Sequence, residues 1–325
     1  MEHGYRALAQ ALMEGKTVWR VTTLDGPSRG KVEQGTGILF LREPVETVPS
    51  VRDADGAQIL VERLTSRKTL LICGGGHISE PVSRLGKLLG YTVIVVDDRP
   101  EFAAPARFPA AHEVACMEFT QLPNAPFWTE AADLSVVIVT RGHVADLVCL
   151  REALRHETEY VGMIGSHKKN RAVFDVLRAE GMTDAQLAQV HAPIGLDIGA
   201  ETPEEIAVCI AAELIVERRR SANAQFSQAM LCALADGCGG IMATVVRKAG
   251  SAPRGVGARL LMQANGHALG TVGGGLAEHE VMQTARALLA QPAVCMRHFD
   301  MNNGEAGKSG LICGGAIDVL FEVVD

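Results

Sequence analysis

The stretch LLICGGGHISEPVSRLGKLLGYTVIVVDDR, residues 70–99, decides how the chain is read. A continuous apolar run, LLIC, ends in three glycines; a helix-forming segment follows, and a second apolar run, YTVIVVDD, closes on two aspartates. Strand, glycine turn, helix and strand open a dinucleotide-binding α/β unit, where the glycines allow a tight turn and let a pyrophosphate approach the helix N-terminus. Gly74 and Gly76 fill the first two glycine positions, Ser79 stands at the third, and His77 lies within the turn. Asp97 falls where such units carry a carboxylate for a ribose hydroxyl. Arg99 beside it can pair with Asp98 or meet a 2′-phosphate. Two readings stay open: a nucleotide site, or a turn of this kind that is only structural.

The alternation continues outward. LSVVIVT and EYVGMIGS read as strands, and ADLVCLREALRH and HKKNRAVFDVLRAEG as helices. A long helix begins at Pro203, with Thr202 as N-cap and Glu205 completing a capping box. Apolar strands alternating with helices predict a doubly wound parallel sheet, a Rossmann-like domain over residues 66–220. Parallel strands gather their carboxyl-end loops at one edge. His77, the Arg141–His143 loop with Asp146, and the Gly165–Lys169 loop with Ser166 and His167 are therefore expected to line one crevice. Cations above helix N-termini suit a phosphate-bearing ligand. No ligand spacing points to a metal site.

The flanks read differently. Residues 1–65 hold a helix at about 5–14, strands TVWRVTTL and GTGILFL around the turn DGPSRG, and an irregular crossing through Pro44 and Pro49 toward Arg67. Residues 221–325 form a smaller α+β domain: a helix in FSQAMLCALADG, the strand GIMATVVRK, a hairpin turning at Asn265-Gly266, a helix to about Ala290, and the strands VCMRHF and AIDVLFEVV. EGKTVWRVTTLDGPSRGKV echoes DGCGGIMATVVRKAGSAPRGVGARL in outline, so the N-terminal segment is either a degenerate copy or ordinary β structure, and it is a candidate part of the C-terminal domain. Three glycine-dense loops, GSAPRGVGAR, GTVGGGLAE and LICGGAIDV, offer bare backbone N–H groups to an anionic or flat polar ligand. Cys313 stands at a loop–strand junction, where its sulfur is a candidate for access.

Composition narrows the classes. The chain has 325 residues, 47% of them hydrophobic and 21% charged, with a formal net charge of -7. That describes a globular protein and does not favour nucleic acid as a partner. The apolar runs are strand-length, too short for a membrane, and the N-terminus does not read as a secretory signal. The eight cysteines include no CxxC pair, so reduced thiols in a cytoplasmic protein are expected.

Taken with GGGHI, VVDDRPEFA, GMIGSHKK and PIGLDIGAETPEEIAVCIAAELI, the three glycine loops resemble the XdhC/CoxI family of accessory proteins for xanthine dehydrogenase and related molybdenum hydroxylases. The resemblance covers roughly residues 66–325 and is most specific over 193–214. It implies a Rossmann domain joined to a cofactor-handling domain. It also implies binding of the molybdenum cofactor (molybdopterin), sulfuration with a cysteine desulfurase, and delivery to an apo-hydroxylase. Carried over, the family's loops fall at Gly250, Ser251, Pro253 and Arg254, at Gly273, Gly274, Gly275 and Glu278, and at Cys313, Gly314 and Gly315, with Cys313 the candidate for sulfur or molybdenum contact. The chain departs from the pattern in order, since the glycine-loop domain comes last. Leu276 follows Gly275 where CoxI-type members carry cysteine, and Arg141 follows Thr140 where the family has histidine. Two alternatives stand beside this reading: an NAD(P)-dependent oxidoreductase, and a nucleotide-sensing adaptor. A homodimer is one candidate assembly.

Overall fold

A computed structural model describes residues 4–25, 28–35, 49–54, 56–65, 68–130, 133–220, 224–250, 254–300 and 315–324. The chain divides into two compact units, residues 1–66 together with 222–325, and residues 67–221. The first is split in sequence and the second is inserted into it.

The split unit begins with helix α1 (Tyr5–Met13) and strands β1 (Val18–Thr23), β2 (Val32–Gly35), β3 (Ser50–Ala54) and β4 (Ala57–Thr65). These strands pair antiparallel in the order β2–β1–β4–β3. This corrects the expected irregular crossing, which carries the hairpin β3–β4. The expected strand GTGILFL reaches only Gly35 within β2; its remaining residues lie outside the described residues.

The inserted unit follows as β5 (Lys68–Cys73), α2 (Ser79–Leu88), β6 (Tyr91–Asp97), β7 (Glu113–Cys116), α3 (Phe127–Glu130), β8 (Leu134–Ile138), α4 (His143–Ala153), β9 (Tyr160–Met163), α5 (His167–Ala179), α6 (Asp184–Leu187), β10 (Val190–His191) and α7 (Pro203–Arg220). The six strands pair in parallel in the order β7–β6–β5–β8–β9–β10. The order reverses between β5 and β8, the point at which a doubly wound sheet opens a crevice at its carboxyl edge. Both faces are covered, which is why β5 and β8 are buried at every residue. Leu71, Cys73, Val96 and Ile138 join one core with Cys149 and Leu150 of α4. Leu70, Ile72, Val93, Val95 and Val137 join the other with Ala207, Ile210 and Leu214 of α7. The predicted capping box starts α7: the Glu205 N–H donates to Thr202 Oγ1 at 3.3 Å, and the Thr202 N–H donates to Glu205 Oε2 at 3.1 Å.

The chain returns to the split unit with β11 (Ala224–Gln225), α8 (Gln228–Ala235), β12 (Gly240–Gly250), β13 (Arg259–Gln263), β14 (Ala268–Gly270), α9 (Gly275–Ala290), β15 (Cys295–Asp300) and β16 (Gly315–Val324). The last five strands form an antiparallel sheet in the order β14–β13–β12–β16–β15. The hairpin at Asn265-Gly266 is wider than a two-residue turn. Gln263 N donates to His267 O, Gly266 N donates to Gln263 O, and Gly266 has φ 82°, so the loop holds three residues with glycine in the left-handed position. No described helix is long and apolar enough to cross a membrane.

Ile72 is fully buried on the central strand of the inserted unit. Ile72→Ala is expected to lower its unfolding free energy by about 3 kcal/mol in urea titrations, through lost burial and a residual cavity.

Candidate functional site

Two sets of glycine loops carry the expected ligand contacts, one in each unit. The first sits at the end of β5. Gly74 has φ 109°, and a Cβ there would run into the backbone of Val139 and Thr140 at the end of β8. A Cβ on Gly75 would meet the Phe102 carbonyl. Two glycines are thus demanded by the chain's own packing. Gly76 is different, with open space where its Cβ would be. Ser79, fully buried, donates from Oγ to the Gly74 carbonyl at 2.5 Å. A hydroxyl at the third position therefore ties the helix back to the turn.

Asp97 completes the closure. Its Oδ2 accepts from Gly75 N at 2.7 Å and from Arg99 Nη2 at 3.0 Å; its Oδ1 accepts from Arg99 N at 3.0 Å and Arg99 Nε at 2.9 Å. A carboxylate has about four lone-pair positions, so none is left for a ribose hydroxyl. Burial alone would raise the Asp97 carboxyl, but the hydrogen bonds from the Arg99 side chain and the Gly75 and Arg99 amides hold it below the ordinary aspartate value. Arg99 stacks over the Phe102 ring at 3.6 Å, and Arg107 Nη1 donates to the Gly75 carbonyl at 2.5 Å. The expected Arg99–Asp98 pair is the longer one, at 3.8 Å. Asp98 is met instead by Arg141 Nη2 at 2.7 Å.

His77, Arg141, His143, Ser166 and His167 are exposed at or beside the first turns of α2, α4 and α5. Ser166 caps α5, accepting at Oγ from Lys169 N at 3.4 Å. Asp146, buried in the first turn of α4, accepts from Thr140 Oγ1 at 2.6 Å; burial raises its carboxyl, and that bond only partly offsets the rise. Sequence reasoning missed Arg107 and Phe102. They lie in the proline-studded stretch after β6, which has no periodicity to reveal them.

The second set lies in the split unit. Glu278, one turn into α9, accepts at Oε2 from Val272 N at 3.0 Å, Gly273 N at 3.3 Å and Gly274 N at 3.0 Å, and from Thr271 Oγ1. Burial would raise this carboxyl; the Thr271 hydroxyl and the three amides outweigh it and keep it below the usual glutamate value. Glu278 thus organises the glycine loop from within. Gly255, Gly274 and Gly275 have open space beside them, and Arg254 is exposed. Ser251, Cys313 and Gly314 lie outside the described residues. Cys73, Cys149 and Cys209 are buried free thiols, and burial pushes the Cys149 thiol up, which suits inert packing. Among the described residues, no group of three or more His, Cys, Asp and Glu could hold a metal ion.

These features define a class: a doubly wound domain of the dinucleotide-binding type, inserted into a module of mainly antiparallel strands in which Gly255, Gly274 and Gly275 have open space beside them. A family model described as the XdhC Rossmann domain matches residues 70–214, and one described as the XdhC and CoxI family matches residues 233–300. The chain belongs to the XdhC/CoxI family. It is 30% identical over 156 residues to the uncharacterized protein YqeB of Escherichia coli K12, covering 46% of this chain and 27% of that protein. It is 27% identical over 165 residues to a probable xanthine dehydrogenase subunit of Bacillus subtilis 168, covering 50% of this chain and 47% of that protein. The chain thus matches less than half the length of either relative. A crystal structure described as a xanthine dehydrogenase from Bacillus halodurans aligns at 25% identity with a TM-score of 0.46, covering 65% of this chain and 62% of that one.

Two outcomes test the closed turn. Gly75→Ala is expected to cost about 1–3 kcal/mol of stability, because the new methyl meets a backbone carbonyl that cannot rotate away. Asp97→Asn is expected to cost about 2 kcal/mol at pH 7. The folded carboxyl titrates below its unfolded value, so the wild-type advantage is complete above the unfolded aspartate value and shrinks as pH falls through the folded one. Denaturant titrations of both proteins at pH 7, 5 and 3 measure the convergence.

Proposed function

We propose that this protein is an accessory factor for a xanthine dehydrogenase-type molybdenum hydroxylase. In this reading it binds the molybdenum cofactor, assists its sulfuration by a cysteine desulfurase, and passes it to the apo-hydroxylase. The observation that carries the reading is the open loop system of the split unit. Bare backbone beside Gly255, Gly274 and Gly275, with the exposed Arg254 guanidinium, suits the phosphate and the flat polar rings of a pterin. Family membership and the name of the Bacillus subtilis relative support the client class.

Arg254 and the 273–275 loop would hold the cofactor, with Glu278 shaping the loop. The cofactor, when bound, supplies the molybdenum centre on which the hydroxylase depends. Cys313 and Ser251 are proposed to meet its sulfur-bearing end. In the inserted unit, Gly76, His77, Ser166 and His167 are proposed to take a phosphate of the same class of ligand. A cytoplasmic location belongs to this reading. NAD(P)-dependent oxidation is the weaker reading, because Asp97 has no acceptor position left and Phe102 covers Gly75.

Loading the purified chain with molybdopterin, desalting it, and measuring molybdenum and pterin fluorescence tests the proposal. Retention near one equivalent per chain is expected, with Arg254→Ala lowering affinity about tenfold, the loss of one charge-assisted contact. No retention by the wild-type chain would overturn the reading. Unchanged retention by Cys313→Ala would remove the thiol from cofactor binding.

A further inference from the structure

The split unit repeats itself. α1 leads through Gly15 (φ 81°) into β1, and α8 leads through Gly237 (φ 70°) into β12. The hydrogen bonds that end the two helices correspond one for one. Glu14, Gly15 and Lys16 donate to Gln10, Leu12 and Ala11; Asp236, Gly237 and Cys238 donate to Cys232, Leu234 and Ala233. One constant shift along the chain relates both sets. The same shift carries the buried Leu8, Ala9 and Leu12 onto Met230, Leu231 and Leu234. It carries Thr22 onto Thr244, each fully buried with an unpartnered Oγ1. The strand order is shared as well: β2–β1–β4–β3 in the first half, and β13–β12–β16–β15 in the second. A second constant shift relates β4 to β16. Under it Glu62, opposite Arg20, falls on Glu322, opposite Met242.

The halves meet as counterparts. Leu24 and Leu60 from one pack with their equivalents Val246 and Leu320 from the other in a single buried cluster. α1 packs against α8. The two buried glutamates are neutralised crosswise: Arg20 Nη2 reaches Glu322 Oε1 at 2.7 Å, and Arg259 Nη2 reaches Glu62 Oε1 at 2.5 Å. The two arginines are not equivalents, since Arg20 falls on Met242 and Arg259 on Val32. The self-complementary contacts are those of Leu24 and Leu60 with Val246 and Leu320 and of α1 with α8, the signature of a twofold interface, in which i meets j and j meets i.

The halves are not equal in their loops. Residues 36–49 connect β2 to β3, a span shorter than the 16-residue α9, which together with β14 and the 271–275 loop connects β13 to β15. In the β1–β2 loop, a Cβ on Gly30 would run into the Val294 side chain of the second half. Its counterpart in the β12–β13 loop is Gly257, with a matching φ of 86° against 83°, and Gly255, where the first loop has Ser28, faces open space. The family model for the glycine-loop module matches only residues 233–300.

We propose that residues 4–65 are a degenerate second copy of the glycine-loop module, docked on the C-terminal copy as its pseudo-twofold partner, and that ligand binding is confined to the C-terminal copy. The inner face of the module therefore fits another copy of itself, and the chain supplies that copy internally. The division of labour rests on the proposed function above; the duplication does not.

A register-specific graft in the full chain tests the duplication. Residues 4–24 are replaced by residues 226–246, keeping Tyr5 and Arg20 so that Glu322 retains its partners; the control graft takes residues 227–247. The first is expected to keep native near-UV circular dichroism and a single cooperative transition, and the control to lose both. Equal behaviour of the two grafts overturns the duplication. A milder pair checks it without grafting: Thr22→Val and Thr244→Val each remove a buried unpartnered hydroxyl and are expected to raise Tm by a similar amount, about 2–4 °C. Shifts of opposite sign count against equivalence. For the division of labour, Arg29→Ala in the first loop is expected to leave molybdopterin retention unchanged while Arg254→Ala lowers it. Equal losses overturn that part. A wild-type chain that retains no molybdopterin removes the proposed function and the division of labour with it, while the grafts still decide the duplication.

Discussion

Two carboxylates buried far from each other in sequence, Glu62 and Glu322, impose the main constraint on the split unit. Each lies on a strand next to the centre of its sheet and is almost without solvent. An unpaired carboxylate in such a place is prohibitive. Each is met by an arginine from the other half, and Glu322 also receives the Tyr5 hydroxyl at 2.7 Å. Arg20 lies over the Tyr5 ring and Arg259 over the Phe226 ring, so both guanidinium faces are covered as well. Burial drives the Tyr5 hydroxyl far above its ordinary range, and it stays a donor. Arg20 also lies 3.6 Å from Glu62 Oε2, so it links the two glutamates, and the shortest ion pair of each glutamate crosses between the halves. The module is therefore completed only when the segments before and after the inserted domain have come together.

The inserted unit solves a different problem. A glycine turn in a doubly wound fold normally leaves amides and a carboxylate free for a dinucleotide. Here Gly74 and Gly75 are bare because β8 and Phe102 occupy the space a side chain would need. Asp97 is saturated by its own turn and by Arg99, and Arg107 holds the Gly75 carbonyl. The scaffold is that of a nucleotide binder, while its usual ribose position is filled by protein. What stays accessible is the outer part of the edge, at Gly76, His77 and the starts of α4 and α5. In the split unit the position is reversed: Glu278 shapes a loop whose glycines look outward.

Much of this architecture was legible. Continuous apolar strands with helices between them can be buried only in a two-sided parallel sheet, and the capping box at Thr202 and Glu205 is a local signal that needs no tertiary partner. The hairpin β3–β4 was missed although Asp55-Gly56 sits between its strands, a dipeptide that favours tight turns. Arg52, Asp53, Glu62 and Arg63 obscured the alternation, and Glu62 reads as a surface residue until Arg259 is placed beside it. β7 was missed because a four-residue edge strand with half-exposed side chains carries almost no periodicity.

The sequence by itself determined the doubly wound domain, the start of its long helix, the strands of the C-terminal module and the family, because these rest on local periodicity and short motifs. The tertiary structure alone decided that Asp97 serves its own turn, that Glu278 folds into its own loop, and that the first and last segments form matched halves of one unit. The reason is that each outcome depends on which donor arrives at a carboxylate. Those donors come from a neighbouring turn, a loop backbone, or a strand some two hundred to three hundred residues away, and no local pattern encodes that arrival.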